Sequence, residues 1–177
     1  MNEDIGNPFY NIRQPTCHPP QGTIIIQPHF LQWVINQLPL LLLACGGTLL
    51  CGIDAVPFKD IICILVVLIY LHLLYTFIYI RSLEYRITDQ QIIVEHGVFK
   101  RSTDYMELYR VIDFNEHRNL MQQICALKTI TIYAGDRNMP TLHIIGVKNH
   151  YDIISELRSR IIYSRELFRI YEVTNRI

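Results

Sequence analysis

Seven histidines and five cysteines are the residues of this 177-residue chain best suited to metal or thiol chemistry. Their spacing does not organise them for it. There is no His-Glu-x-x-His run and no pair of Cys-x-x-Cys motifs, so no zinc site is spelled out. Cys17-His18 is an isolated pair in a polar stretch. Cys45, Cys51, Cys63 and Cys125 all fall in apolar surroundings, where a free cysteine behaves as a small buried hydrophobe. Cys51 and Cys63 both approach the far interface, where an oxidising compartment would allow a bridge, but spacing alone does not establish its geometry. No Ser-His-Asp order, nucleophile elbow, phosphate loop or carboxylate pair stands out either. The expectation is a protein that is not an enzyme and holds neither cofactor nor metal.

Charge and composition narrow the classes further. Sixteen basic residues balance sixteen acidic ones, which argues against a nucleic-acid partner bound by bulk electrostatics. Half the residues are hydrophobic and 18% are charged, the reverse of a disordered chain. The apolar residues are concentrated. Phe30–Ile53 contains no charge, and neither does Ile61–Ile80. The second run, as a helix, spans about 30 Å, the thickness of a hydrocarbon core. The first, Trp33–Ile53, contains Asn36, Gln37 and Pro39, so Phe30–Gln37 is expected near the interface with a bend around Pro39. The short link Asp54–Asp60 forces an antiparallel hairpin with both chain ends on one side. Phe30, Trp33, Tyr75, Phe77 and Tyr79 form one aromatic belt. Arg13, Arg81 and Arg86 lie on that side against Lys59 in the loop, which places both termini in the cytoplasm.

Two polar or small-residue features stand out within the spans. Ala44, Thr48 and Gly52 recur every four residues, with Gly46 and Gly47 beside them, and let backbones approach closely. Such a stripe serves either packing within the hairpin or association with another span. His72 is the one ionisable group in the two runs; it either pairs with Gln37 and Thr76 or acts in a proton relay with another chain.

Outside the spans, residues 1–30 are polar and carry Pro8, Pro15, Pro19, Pro20 and Pro28, so an extended cytoplasmic tail is expected, not a cleaved leader. Residues 81–177 read as one domain. Strands are expected at Leu83–Thr88, Ile92–His96, Val98–Tyr105, Val111–His117, Thr129–Tyr133 and Thr141–Ile145, with turns at Asp89-Gln90, Gly97 and 134–138. In the fourth, Ile112, Phe114 and Glu116 share one face, while Val111, Asp113, Asn115 and His117 share the other. Leu120, Ile124 and Leu127 follow helical spacing. A C-terminal helix is expected over about 150–171, capped by Asn149 with Asp152 at its third position. Its last turns are either a surface extension or a short coiled-coil contact.

These pieces, in this order, carry a resemblance. A two-span hairpin, then Tyr85-Arg86-Ile87-Thr88, then Ile92-Ile93-Val94 before Gly97-Val98, resembles the bacterial pleckstrin-homology-like, membrane-flanked family, the YdbS-like domains. Leu108-Tyr109-Arg110-Val111-Ile112-Asp113 is similar to its central P-L-x-R-I-x-x-V pattern, and Leu120–Leu127 with Thr129-Ile130-Thr131-Ile132 to its L-x-R-L-L-G-L-x-x-V-x-I segment. Glu107 stands where the family usually has proline, and Ala126 where it usually has glycine. The resemblance covers roughly residues 60–165.

It implies an α+β membrane protein: a transmembrane hairpin followed by a PH-like antiparallel sheet or barrel of about seven strands, capped by a C-terminal helix. It also implies a location in the bacterial inner membrane and an accessory or scaffolding role. Three functions follow, in order of preference. The first is docking of a protein partner or self-assembly. The second is sensing of the anionic membrane surface through Arg81, Arg86, Lys100 and Arg101, with Phe99 beside them. The third is an accessory subunit of a transport complex. Ala44, Thr48, Gly52 and His72 are the expected helix–helix contacts.

Overall fold

The computed structural model describes residues 22–53, 57–137 and 139–168. Two long helices stand beside a seven-stranded, two-sheet module. Helix α1 spans Phe30–Cys51 and α2 spans Lys59–Ser82. One sheet has the order β1-β2-β3-β4, formed by Ile24–Ile26, Glu84–Ile87, Gln91–His96 and Ser102–Glu107. The other has the order β5-β6-β7, formed by Val111–His117, Leu127–Ala134 and Thr141–Lys148. All pairings are antiparallel. Short helix α3, Leu120–Ile124, links β5 to β6, and α4, Ile153–Leu167, closes the module.

The inner faces follow strand alternation. Ile87, Ile92, Met106, Leu108, Ile130, Ile132 and Ile144 are fully buried, and α4 adds Ile153, Leu157 and Ile161 at helical spacing. Arg160, on the same helix, is also fully buried. Its guanidinium donates to Glu156 and Asp89, to the Ile87 carbonyl and to the Gly22 carbonyl. It therefore fastens α4 to the β2–β3 turn and to the segment leading into β1.

Several expectations need correction. The tail reading ends too late, because Ile24–Ile26 is a strand. It pairs with Arg86-flanking positions of β2, Ile24 opposite Ile87 and Ile26 opposite Tyr85. The domain thus takes its first strand from before the hairpin. The remainder of the proposed tail, residues 1–21, and helix residues 169–171 lie outside the described residues. The first helix begins at Phe30, three residues before the expected start at Trp33, and Pro39 lies inside it. Proline forgoes one backbone bond, a loss that a long helix absorbs locally. Its start is set by His29, whose Nδ1 accepts from the Leu31 N–H at 3.3 Å.

The third expected strand begins at Ser102, not Val98. Gly97 has φ +116, and a Cβ there would lie 2.0 Å from the Lys100 carbonyl oxygen, so residues 97–101 form a tight turn that only glycine allows. In β5 the register shifts between Val111 and Asp113. This bulge turns Val111 into the core and leaves Ile112 exposed, which breaks the shared face expected for Ile112 and Phe114. The last helix is capped by Asp152 rather than Asn149: its carboxylate accepts from the Ser155 N–H at 3.2 Å. That bond holds the Asp152 carboxyl below the usual carboxylate range.

Candidate docking and membrane-facing surfaces

The hairpin is seamed by small residues. Ala44 is buried against α2, and a Cβ on Gly47 would lie 2.5 Å from Val66 Cγ2. The close approach therefore runs through Ala44 and Gly47. Thr48 stands at the edge of this seam, donating to the Ala44 carbonyl and lying 3.3 Å from the Tyr70 hydroxyl. Gly52 lies beyond the seam as the exposed C-cap of α1, and Gly46 has open space around its α-carbon. Cys51 and Cys63 face one another across the hairpin as free thiols.

His72 does not make the pairing expected of it. It points outward from α2, and no hydrogen bond reaches it among the described residues. Thr76 is taken instead by Trp33, whose indole N–H donates to its hydroxyl at 3.0 Å while the indole packs edge-on against Phe77. The belt aromatics thus lock the two helices at a single level.

At that level the hairpin is joined to the sheets by a chain of neutral polar groups. Gln32 is buried on the first turn of α1, in the midst of an apolar run. Its carbonyl oxygen accepts from the Gln122 amide of α3 at 2.9 Å, and its own amide donates to Asn36. The Gln122 amide also donates to the Thr129 hydroxyl at 2.8 Å, and its carbonyl accepts from the Asn119 N–H. Gly146, at φ +67, is where α1 comes closest to β7: a Cβ there would lie 2.9 Å from that of Gln32. The His29 N–H donates to the Gly146 carbonyl at 3.1 Å. Sequence reading missed this junction, because a glutamine inside a hydrophobic run shows no partner until the fold brings one.

The candidate cationic cluster divides. Arg86 is held by Glu84 and by Glu95, the latter at 3.0 Å. The Arg86 hydrogen bond, with one from Gln27, holds the Glu84 carboxyl below its usual range. Arg81, Lys100 and Arg101 make no ion pair among the described residues and are exposed. Lys100 and Arg101 follow Phe99 in the β3–β4 turn, and the Phe99 ring stacks on Tyr75 of α2 with centroids 6.4 Å apart.

A second surface lies away from the hairpin. Strand β5 pairs only with β6 among the described residues, so its outer edge carries no strand. Between that edge and α4 runs a groove of about 190 Å³ lined by Ile112, Phe114, Ile161, Ile162, Arg158 and Arg165. Arg165 donates to the Val111 carbonyl at 2.7 Å and so anchors one end of the groove.

The family model described as "Bacterial PH domain" matches residues 34–161, from within α1 to the middle of α4. The chain belongs to the bacterial PH domain family. The match takes in the hairpin as well as the sheets, a wider span than the resemblance alone suggested. No curated protein and no solved structure matches the chain. The family's usual glycine also acquires a physical reason. Ala126, which replaces it, has φ +53, a left-handed conformation that ends α3 and that alanine adopts only at a cost. Glu107, in the usual proline position, has φ −73, close to the value proline would impose.

Proposed function

We propose that this bacterial PH domain protein is a membrane-anchored scaffolding module whose two long helices cross the bilayer and whose β-module docks a protein partner along the β5–α4 groove. Both helices are long and apolar enough to span, and only 6% and 11% of their most apolar windows is buried inside the protein. A core helix of a soluble protein would be mostly covered. With Arg81 beyond the belt and Lys59 at the far turn, the termini and the module belong on the cytoplasmic side of a bacterial inner membrane.

The observation that carries the docking role is the β5 edge. An extended peptide added there would gain main-chain hydrogen bonds from β5 and would seat side chains between Ile112, Phe114 and Ile162. The hydrogen-bonded junction to α1 holds this edge at a fixed height above the bilayer.

The test is gentle extraction from the native host with a photo-crosslinking residue at Ile112. A stoichiometric adduct with one protein, lost on Ile162→Asp while the chain remains folded, supports the reading. A bare monomer with no adduct contradicts it, and an adduct between two copies of this chain assigns the groove to self-assembly.

A further inference from the structure

We propose that the hairpin-side end of the β-module is itself a bilayer-inserting surface for anionic lipid, with Phe99, Leu120 and Ile124 as its apolar wedges and Lys100 and Arg101 as its headgroup contacts. The proposal rests on the reading that α1 and α2 cross the bilayer.

Depth is fixed by helix geometry. Tyr75 precedes Arg81 by six residues on α2, about 9 Å along the axis. Phe99 stacks on Tyr75, so its ring lies well below the level of Arg81, on the acyl side of the headgroups. It is 93% exposed, a poor arrangement in water and a favourable one in lipid. On the other flank, α3 is hydrogen-bonded through Gln122 to Gln32, the neighbour of the belt residue Trp33. Leu120 and Ile124 sit four residues apart on one face of α3 and are 75% and 78% exposed.

The occupant follows from the layout. Phe99 lies beside α2 and the α3 residues beside α1, so the apolar tips bracket the hairpin instead of forming one patch. A bilayer entered by both helices lies against both flanks of the module, where these side chains are exposed. Lys100 and Arg101, and Lys148 at the end of β7, make no ion pair among the described residues, which gives this rim a positive character suited to anionic headgroups. Arg86 is not part of the contact, because Glu84 and Glu95 already hold it.

The experiment uses the full chain in vesicles with brominated acyl chains, made with phosphatidylcholine alone or mixed with phosphatidylglycerol. Trp33 is the chain's single tryptophan, so the parent reports the hairpin, and Phe99→Trp, Ile124→Trp and Phe168→Trp each add one reporter. Phe168 caps α4 against Tyr109, at the opposite end of the module. The expected result is strong quenching of Trp33 and of the reporters at 99 and 124, with none at 168. Quenching at 99 should rise with phosphatidylglycerol and lose that rise in Lys100→Glu/Arg101→Glu. Quenched Trp33 with silent reporters at both 99 and 124 overturns the insertion alone and leaves these side chains to a protein partner. Unquenched Trp33 overturns the spanning reading and this proposal with it. Equal quenching in both lipids overturns the role of Lys100 and Arg101.

Discussion

The two ends of the β-module are built by opposite rules. At the end away from the hairpin, two ion pairs tie down the turns. Arg160 meets Asp89 at 3.0 Å in the β2–β3 turn, and Arg110 meets Asp136 at 3.5 Å near the β6–β7 turn. At the hairpin end the β3–β4 turn and α3 expose Phe99, Leu120 and Ile124, and the cations Lys100 and Arg101 stand unpaired among the described residues. The β2–β3 turn at one end is therefore tied down by the module's own residues, while the β3–β4 turn at the other exposes an apolar ring and two cations outside any ion pair among the described residues. Strand β1 ties the two together, since the chain before it is held by Arg160 and the chain after it enters α1 at the polar junction.

Cutting that tie should have the largest effect. A fragment beginning at residue 81 loses β1, which unpairs the edge of β2 and removes Ile24 and Ile26 from the core, and leaves Gln122 without Gln32. Burial of an isoleucine is worth about 1.5–3 kcal/mol, so the fragment should be less stable than a chain keeping β1 by about 4 kcal/mol or more. Denaturant titration of the two in detergent checks this. Equal midpoints would show that β1 is dispensable.

Arg160→Ala leaves a cavity and strips the buried Ile87 carbonyl and the Gly22 carbonyl of their donor, with an expected loss of about 3 kcal/mol. Arg101→Ala should change stability in detergent by no more than about 0.5 kcal/mol, because an exposed cation without an ion pair gives up only a solvent-screened attraction to Glu84. Similar losses in both, read from the same unfolding curves, would erase the distinction between the ends.

At the boundary of α3, Ala126→Gly should raise stability by about 1 kcal/mol, the relief of the left-handed alanine less the extra chain entropy of glycine. A thermal melt that moves down instead would place the strain elsewhere.

The smallest expected effect is that of pH. Hydrogen bonds from Arg118, and after it Lys128, hold the Glu116 carboxyl below its ordinary range, as Arg86 does for Glu84. A depressed folded value means the stabilisation is present at neutral pH, above the unfolded value, and is lost as pH falls through the folded one. Glu116→Gln should therefore flatten the decline in stability on the acid side of the ordinary carboxylate range and leave the alkaline side unchanged. Burial pushes the Tyr85 phenol far in the other direction, its hydroxyl donating to the His143 carbonyl at 2.8 Å. It therefore stays neutral throughout this range.

What the sequence disclosed depended on periodicity. The charge-free runs located both helices, and alternation located β2 to β7 to within a few residues, because burial on one face leaves a period in the chain. Strand β1 was hidden: three isoleucines in a row carry no alternation, and their partner strand lies beyond the entire hairpin. The bulge at Val111–Asp113 was hidden for a related reason, since an inserted residue appears only when the register of β6 is known. The site was less legible than the fold. Lys100 and Arg101 could be picked out as a cationic pair, but Arg86 could not be separated from them until Glu95 came opposite Glu84. Gln32 and Gln122, 90 residues apart, become a pair only in three dimensions.

Hydrogen exchange of the full chain in anionic nanodiscs tests the contrast between the ends most directly. Two turns serve as the comparison: amides 98–101 at the hairpin end and amides 89–90 in the β2–β3 turn at the other, both outside regular strands. Shielding by lipid at the first turn and free exchange at the second is the predicted result. Equally fast exchange at both turns would contradict it and return the hairpin end of the module to water.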